Sequence, residues 1–488
     1  MTAVEVVVGV DVGTTDTKAL VVGADGRELA DAAVATTWQR DGVHAETTPD
    51  RLRDGMVAAV RAALDTAAAR HGRALHGIGI GITGMAESGV LLDPSGAVRA
   101  PVVGWFDPRG GDELARLPAD VLAALPAVTG MAVSPLCTAA KLAWLGGRGL
   151  GPTPGCRWRN VPEHLAGTLG GEPATEPSLA SRTGLFDQAD GGPWQAGLAA
   201  VGASADLFGP VVAAGTSLGR VSDPALPALS GAHVVVAGHD HPVASVGAGA
   251  WEDDDLFDSF GTAESVLRSV SSPLSGDQRR RLVGLGLTSG SHVLEGRWVV
   301  SGPTRAGMVL RRVLDALGLA DQAGRDRLDA AWRQPAGDAA GHPPGSPSGG
   351  PSEVVVTGAG MADTDVTVRL VADPVGPGAV WAAALDHTSA AVAALAERID
   401  AEVGTRRRRV VAAGGWTRMS SVRAAKALVM PDVSVSARRQ AGAYGAATLA
   451  AWAADGRRGR AADFARRFQC APATDPASTL LTPAGGLP

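Results

Sequence analysis

Lysine is nearly missing from this chain: 488 residues contain three, at Lys18, Lys141 and Lys426. With a formal net charge of -6 and a pI near 5.9, that scarcity excludes the basic footprint of a nucleic-acid binder. The one dense basic run, Arg406 to Arg409, leads into the apolar "VVAAGG" and reads as a solvated strand entry. Cysteine is scarce too. Cys137, Cys156 and Cys470 show no Cys-x-x-Cys spacing, which excludes a disulfide framework and suits a reducing compartment. The N-terminal "MTAVEVVVGV" has no basic region ahead of its apolar run and carries Glu5 inside it, so it does not read as a signal peptide. Residues 378–396 are apolar enough to suggest a membrane span, but they hold Asp386 and His387 and read as a core helix. A soluble cytoplasmic protein with no membrane and no nucleic-acid partner is expected. Two phosphate devices are also absent. There is no Gly-x-x-x-x-Gly-Lys-[Ser/Thr] and no Gly-x-Gly-x-x-Gly between strand and helix, so neither a P-loop nor a dinucleotide fingerprint is present.

What is present is a large apolar fraction, 45%, in a chain long enough for two to four domains. "VEVVVGV", "TKALVVG" and "ELADAAVAT" read as three strands, the last two joined by an Asp-Gly turn. Leu52, Met56, Val57, Val60, Ala63 and Leu64 have helical spacing. "HGIGIGITG" is a strand entering a Gly-rich loop, and "GVLLDPSGAVRAPVVGW" a hairpin turning at Pro94-Ser95-Gly96. In the second half, "GHPPGSPSGGPS" (341–352) is a loop, 378–400 a long helix, "RVVAAGGWTRMSSVRAAKALV" a strand, Gly turn and helix, and 441–454 a helix of small residues. One phrase recurs: "DVGTTDTKALVV" (11–22) aligns with "SFGTAESVLRSV" (259–270), which suggests two related domains.

A Gly-Thr turn between strands offers backbone N–H groups and hydroxyls to an anion. Asp11, just ahead of the first such turn, could hold Mg²⁺ through water, since that ion takes few carboxylates and keeps several waters. Gly414-Gly415 ends a strand and opens a helix, a turn where a flat base can approach bare backbone. "AGHDHPVASVGAG" (237–249) places His239, Asp240 and His241 in consecutive positions. On a continuing strand the two imidazoles share one face and Asp240 takes the other, which argues against a triple metal-ligand set.

These motifs, in this order, resemble the FGGY carbohydrate kinases of the actin/hexokinase/Hsp70 superfamily over almost the whole chain. "VGVDVGTTDTKALVV" is similar to the family's first phosphate motif and "GIGITGMAESGVLLDPSGAVRAPVVGWFDPRG" to its sugar-side segment. "CTAAKLAWL" and "PEHLAGTLGGEPATEPSLASRTGLFD" resemble the segments that follow. "AGHDHPVASVGAG" with "DSFGTAESV" resembles the base strand and second phosphate motif, and "AAGGWTRMSSVRAAKALV" with "AGAYGAATLA" the adenosine motif and next helix. Departures are Asp16, Ala263, Ala413 and Glu176, and "MAES" (85–88) is unlike the Met-His pair of xylulokinases.

The resemblance implies an α/β fold of two ribonuclease-H-like, actin-like ATPase domains flanking a central cleft: a sugar-binding domain over 1–246 and a nucleotide-binding domain over 247–488. It implies transfer of the γ-phosphate of ATP, with Mg²⁺, to a hydroxyl of a small sugar, a pentulose or hexulose. Asp240 is the expected general base. Asp11, Gly13, Thr14, Thr15, Lys18, Gly261, Thr262, Gly414 and Gly415 are expected at the nucleotide, with Asp11 also at the metal. Met85, Glu87, Trp105, Asp107, Arg109 and His239 are expected at the sugar. Asp107 and Arg109 pairing only with each other is the plain alternative for those two. A polyol kinase of glycerol or erythritol type and a catalytically silent sugar sensor are the competing functions, and a homodimer is the assembly common in the family.

Overall fold

The computed structural model describes residues 3–261, 263–333, 354–361, 363, 365–371 and 375–469. The expected loop 341–352 and Thr262 lie outside the described residues. Contacts divide the chain into two compact units. The first takes Met1–Trp251, Ser269–Val300 and the segment from Gln440; the second takes Glu252–Arg268 and Ser301–Arg439.

The first unit is built on a six-stranded sheet. β1 (Val4–Val12), β2 (Asp16–Gly23) and β3 (Glu28–Ala35) form an antiparallel meander. After α1 (Pro49–His71), β4 (Leu75–Gly84) lies parallel to β1; β5 (Ser217–Arg220) and β6 (His233–His239) complete the order β5-β6-β4-β1-β2-β3. β1 is a β-branched run buried from Val6 to Val10, as a central strand covered on both faces requires. α1 starts where the Thr48 side chain accepts from Arg51 N–H and stops at Gly72 in the left-handed region (φ 59°).

β6 ends at His239 and the chain turns at once into α2 (Asp240–Ala248). This corrects the reading of 239–241 as strand with alternating faces. Asp240 opens a helix, with Pro242 in its first turn, where a missing N–H costs nothing.

In the second unit β7 (Asp255–Phe260) pairs antiparallel with β8 (Glu264–Val270) and parallel with β9 (Arg409–Ala413). The β1–β2 and β7–β8 hairpins thus share one plan: an antiparallel hairpin whose first strand also has a parallel neighbour. α3 (Pro377–Val403) is long and apolar enough to cross a bilayer by composition. It instead buries Trp381, Leu385, Val392 and Ile399, the construction of a core helix. α4 (Ser420–Val429) follows β9, and β10 (Val433–Val435) pairs parallel with β9. The Arg406–Arg409 run is ion-paired rather than merely solvated: Arg407 meets Asp400 and Glu397, Arg408 meets Asp254 and Arg409 meets Asp255.

α5 (Ala441–Ala454) moves the expected division at 246/247. It packs on β1, β4 and α2, all in the first unit. The physical reason is small residues on both sides. A Cβ at Gly9 or Gly81 would strike the α5 carbonyls of Ala443 and Ala446, so only bare backbone admits the helix there.

Candidate active site

In the first unit three parallel neighbours, β6, β4 and β1, end side by side. Asp11 pairs in register with Thr83, Val12 with Gly84, and Gly84 with His239. Asp11, Met85, His239 and Asp240 are therefore gathered at the carboxyl edge of the sheet, where open α/β sheets present ligand-binding groups.

The turn after β1 is wired to face its amides outward. Gly13 N–H donates to Asp16 O; Gly13 O accepts from Thr36 Oγ1; Thr14 O accepts from Trp38 Nε1; and Thr15 O accepts from Thr36 N–H. Four carbonyls are thereby tied down. Among the described residues the N–H groups of Thr14 and Thr15 have no protein acceptor. Anchored carbonyls with uncommitted amides make an anion-binding concavity.

Asp11 suits a cation. Its Oδ1 is shielded from solvent and has no hydrogen-bond partner among the described residues. Burial pushes its carboxyl up to about 6, against the pull of Lys18, with Asp240 pushing the same way. Two carboxylates that feel each other, one with an orphaned oxygen, fit a bound divalent ion. Lys18 sits opposite Asp11 in the β1–β2 register.

Asp240 is held from both flanks. His239 Nε2 lies 3.1 Å and His241 Nε2 4.0 Å from Asp240 Oδ1, and the His241 N–H donates to the same oxygen at 2.7 Å. Burial alone raises the carboxyl; His241, His239 and those hydrogen bonds outweigh it and hold the group well below the usual carboxylate range. The three side chains that the sequence spread over two faces converge on one point, because the strand gives way to helix between His239 and Asp240.

The peptide leading into Asp240 is clamped. Thr83 Oγ1 donates to Gly238 O at 2.7 Å, and His239 N–H donates to Ser178 Oγ at 2.9 Å. Ser178 Oγ–H in turn donates to Glu176, whose carboxyl is pushed up to about 7, chiefly by burial.

Glu87 lies on the sugar-side segment in the left-handed region (φ 62°), rare for a residue with a side chain. It is buried, and its Oε1 accepts from Arg182 at 2.7 Å; Arg182 also donates to Thr288 Oγ1. Glu87 and Arg182 both act on His241 electrostatically. Sequence reasoning missed Arg182. It stands inside "ASRTGLFD", 95 positions from its partner, and nothing local announces it. Met85 is buried with its N–H on Val12 O.

Asp107 and Arg109, expected at the sugar, are engaged with their own turn. Asp107 is wholly buried, and its oxygens accept from Ala45 N–H and from the Arg109 N–H, Nε and Nη2; Arg109 continues to Glu46. Burial works against ionisation of Asp107, yet the Arg109 and backbone hydrogen bonds pull its carboxyl down to about 2. Both oxygens are engaged, so Asp107 staples the turn together with Arg109, Ala45 and, through Arg109, Glu46. Lys141 Nζ supports the same turn through the carbonyls of Asp107 and Arg109. Trp105 Nε1 donates to Thr14 Oγ1 at 2.8 Å, tying the sugar-side segment to the first turn.

In the second unit the expected phosphate and adenosine motifs are joined by a buried ion cluster. Lys426 of α4 bridges Asp258 of β7 and Glu264 of β8 and lies 4.3 Å from the Phe260 ring centroid. Gly261 N–H donates to Ala263 O, closing the β7–β8 turn. Gly414 has φ 121°, and a Cβ there would strike the Phe260 backbone; Gly415 has open space around it. The N-terminus of α4 is already occupied: Asp329 accepts from the N–H groups of Ser420 and Ser421.

Two α/β units with these hairpins are the actin-like ATPase fold. Solved structures agree. A xylulose kinase from Rhodospirillum rubrum matches with TM-score 0.76 at 25% identity, over 93% of this chain and 90% of that one. Plasmodium falciparum glycerol kinase with ADP matches with TM-score 0.77 at 13% identity, over 96% and 93%. The profile of the FGGY family of carbohydrate kinases, N-terminal domain, matches residues 6–247. The L-fuculokinase of Escherichia coli (strain K12) is 26% identical over 279 residues, 54% of this chain and 56% of that protein. The chain thus spans about half the length of the curated relative it matches. Over residues 6–247 the chain belongs to the FGGY family of carbohydrate kinases, by its N-terminal domain.

Proposed function

We propose that this protein is an ATP-dependent carbohydrate kinase in which Asp240 is the general base. The observation that carries the reading is the carboxyl edge of the first sheet. An outward-facing amide turn (13–16), an orphaned carboxylate oxygen on Asp11 and an ionised Asp240 braced by two imidazoles share that edge. Phosphoryl transfer passes through a loose transition state, so catalysis is positioning and charge neutralisation. A sugar hydroxyl attacks the γ-phosphorus of ATP. The bond from that phosphorus to the bridging oxygen breaks, ADP leaves, and Asp240 takes the hydroxyl proton late in the transfer. Asp240 is ionised throughout the neutral range, and His239 and His241 keep it aimed.

The free N–H groups of Thr14 and Thr15 donate to phosphate oxygens, and Lys18 adds positive charge beside them. Asp11 would hold Mg²⁺ through water, and that ion would neutralise charge on the transferring phosphate. The Gly414–Gly415 turn takes the adenosine, with Gly261 at the phosphates. On the sugar side, Glu87 accepts from hydroxyls while Arg182 fixes its orientation; Met85, Trp105 and His239 line the remainder. Acceptors of ketopentose or ketohexose type fit such a hydroxyl-reading set. Two of the three cysteines are buried free thiols, in keeping with a cytoplasmic enzyme. The test is a coupled ADP-release assay over ketoses, polyols and sugar acids. Sugar-dependent ADP release with one favoured class supports the reading; no release with any acceptor sinks it and leaves a sugar-sensing protein.

A further inference from the structure

We propose that His239, Asp240 and His241 also form a binding site for a borderline divalent cation of the zinc class, and that an ion there silences the base. The silencing rests on the kinase reading; the binding does not. The three donor atoms lie within 4.8 Å of one another, with His239 Nε2 3.1 Å and His241 Nε2 4.0 Å from Asp240 Oδ1. Metal–donor bonds of about 2.0–2.2 Å put neighbouring donors of a tetrahedron roughly 3.3 Å apart. One of the three pairs is already there; the other two, His241 to Asp240 at 4.0 Å and the two imidazoles within 4.8 Å, need a swing of the His241 ring. The imidazole planes stand at 88° with centroids 5.4 Å apart, so the rings approach the carboxylate from two directions instead of stacking.

The donor set selects the ion. Two imidazole nitrogens and one carboxylate oxygen suit zinc, cobalt or nickel, whereas Mg²⁺ takes oxygens and keeps its waters. Three protein donors leave a fourth position for water or a substrate hydroxyl. The side chains are 13%, 29% and 35% exposed, so an ion can reach atoms that are nonetheless held in place. The neighbouring charges are mixed: Asp11 and Asp240 act on each other, while at His241 the Arg182 charge, paired with Glu87, acts more strongly than Glu87 itself. Among the described residues no other group of His, Cys, Asp and Glu converges in this way.

An ion on this triplet occupies the lone pairs with which Asp240 would accept the hydroxyl proton. Zinc-class ions would then lower kcat with the sugar KM little changed, without displacing Mg²⁺ from Asp11. Binding is read first, on the whole metal-stripped chain, with Co²⁺ alone, whose visible absorption reports low-coordinate nitrogen ligation. One equivalent should bind and be displaced by Zn²⁺. His241→Ala and Asp240→Asn should each weaken binding by at least about 100-fold, since loss of even an outer partner costs 10–100-fold. No Co²⁺ spectrum, or one that survives both substitutions, overturns the proposal. With an accepted sugar in hand, Zn²⁺ should lower kcat in step with loading of the site; turnover unchanged while the site is loaded overturns the silencing. The binding arm contains no substrate, so a failed substrate panel overturns the kinase reading without touching it.

Discussion

Ser178 holds the backbone of His239: the His239 N–H donates to Ser178 Oγ at 2.9 Å, one position before Asp240. The hydroxyl passes its own hydrogen to Glu176, so it is acceptor and donor at once. Ser178→Ala leaves a half-buried N–H unpaired, which should cost about 1 kcal/mol of stability. It should also loosen the aim of Asp240, lowering kcat with the ATP KM little changed. Ser178→Thr, which keeps the hydroxyl, should restore most of the kcat. Equal kcat in the alanine variant and the wild type would mean that the clamp supports only the fold.

Asp240→Asn preserves shape but cannot take a proton. Sugar and ATP binding should persist while turnover falls by about 10²–10⁴-fold. Calorimetry and steady-state rates together decide it. Turnover within a few-fold of wild type removes Asp240 from the base position.

The Gly-Thr hairpins, the long apolar helix and the small-residue helix 441–454 were legible because each depends on local pattern: alternation, helical spacing or missing Cβ atoms. The aim of Asp240 was not read correctly, although Pro242 marked the helix start that turns the three side chains together. The return of α5 to the first unit was foreshadowed only by glycines in β1 and β4, which say that something approaches but not what. Arg182 and the saturation of Asp107 depend on partners from 2 to 95 positions distant, and long-range pairing leaves no periodic trace.

The two glycines after β9 should separate fold from ligand. A Cβ at Gly414 meets the Phe260 backbone at φ 121°, so Gly414→Ala should lose about 1–3 kcal/mol of stability. Around Gly415 nothing lies within 4 Å of a built Cβ. Gly415→Val should therefore fold normally and bind ATP more weakly, with sugar affinity unchanged. Unaltered ATP binding by calorimetry would mean that the base sits elsewhere.

His292 sets a pH dependence of stability. Burial, then Arg297, holds its imidazole down to about 3. Leu294 N–H donates to its Nδ1, so the proton sits on Nε2, facing Ser245 Oγ. Between pH 6.5 and about 3 the unfolded chain carries a proton here that the folded chain does not. Stability is therefore lost as pH falls through that window, at about 1.4 kcal/mol per pH unit from this group. His292→Asn keeps an acceptor for Leu294 without a titrating ring, so urea unfolding across the window should show a shallower slope. An identical slope would mean that other groups dominate acid unfolding.

Glu87 combines strain and function in one residue. Its backbone lies at φ 62°, costing about 1–2 kcal/mol relative to the right-handed region, and its carboxylate meets Arg182. A residue kept there against that cost has a use for its side chain. Glu87→Ala and Glu87→Gly both delete the carboxylate, so both should raise the sugar KM by roughly 10–100-fold, the loss of a hydrogen bond to a charged group. The ATP KM should stay nearly constant, and discrimination among epimeric ketoses should flatten. The two variants part on stability. Glycine adopts the left-handed conformation freely, so Glu87→Gly should be more stable than Glu87→Ala by about 1 kcal/mol. Equal stabilities would mean that the backbone relaxes when the side chain goes. An unchanged sugar profile in both would move the sugar from Glu87 toward His239.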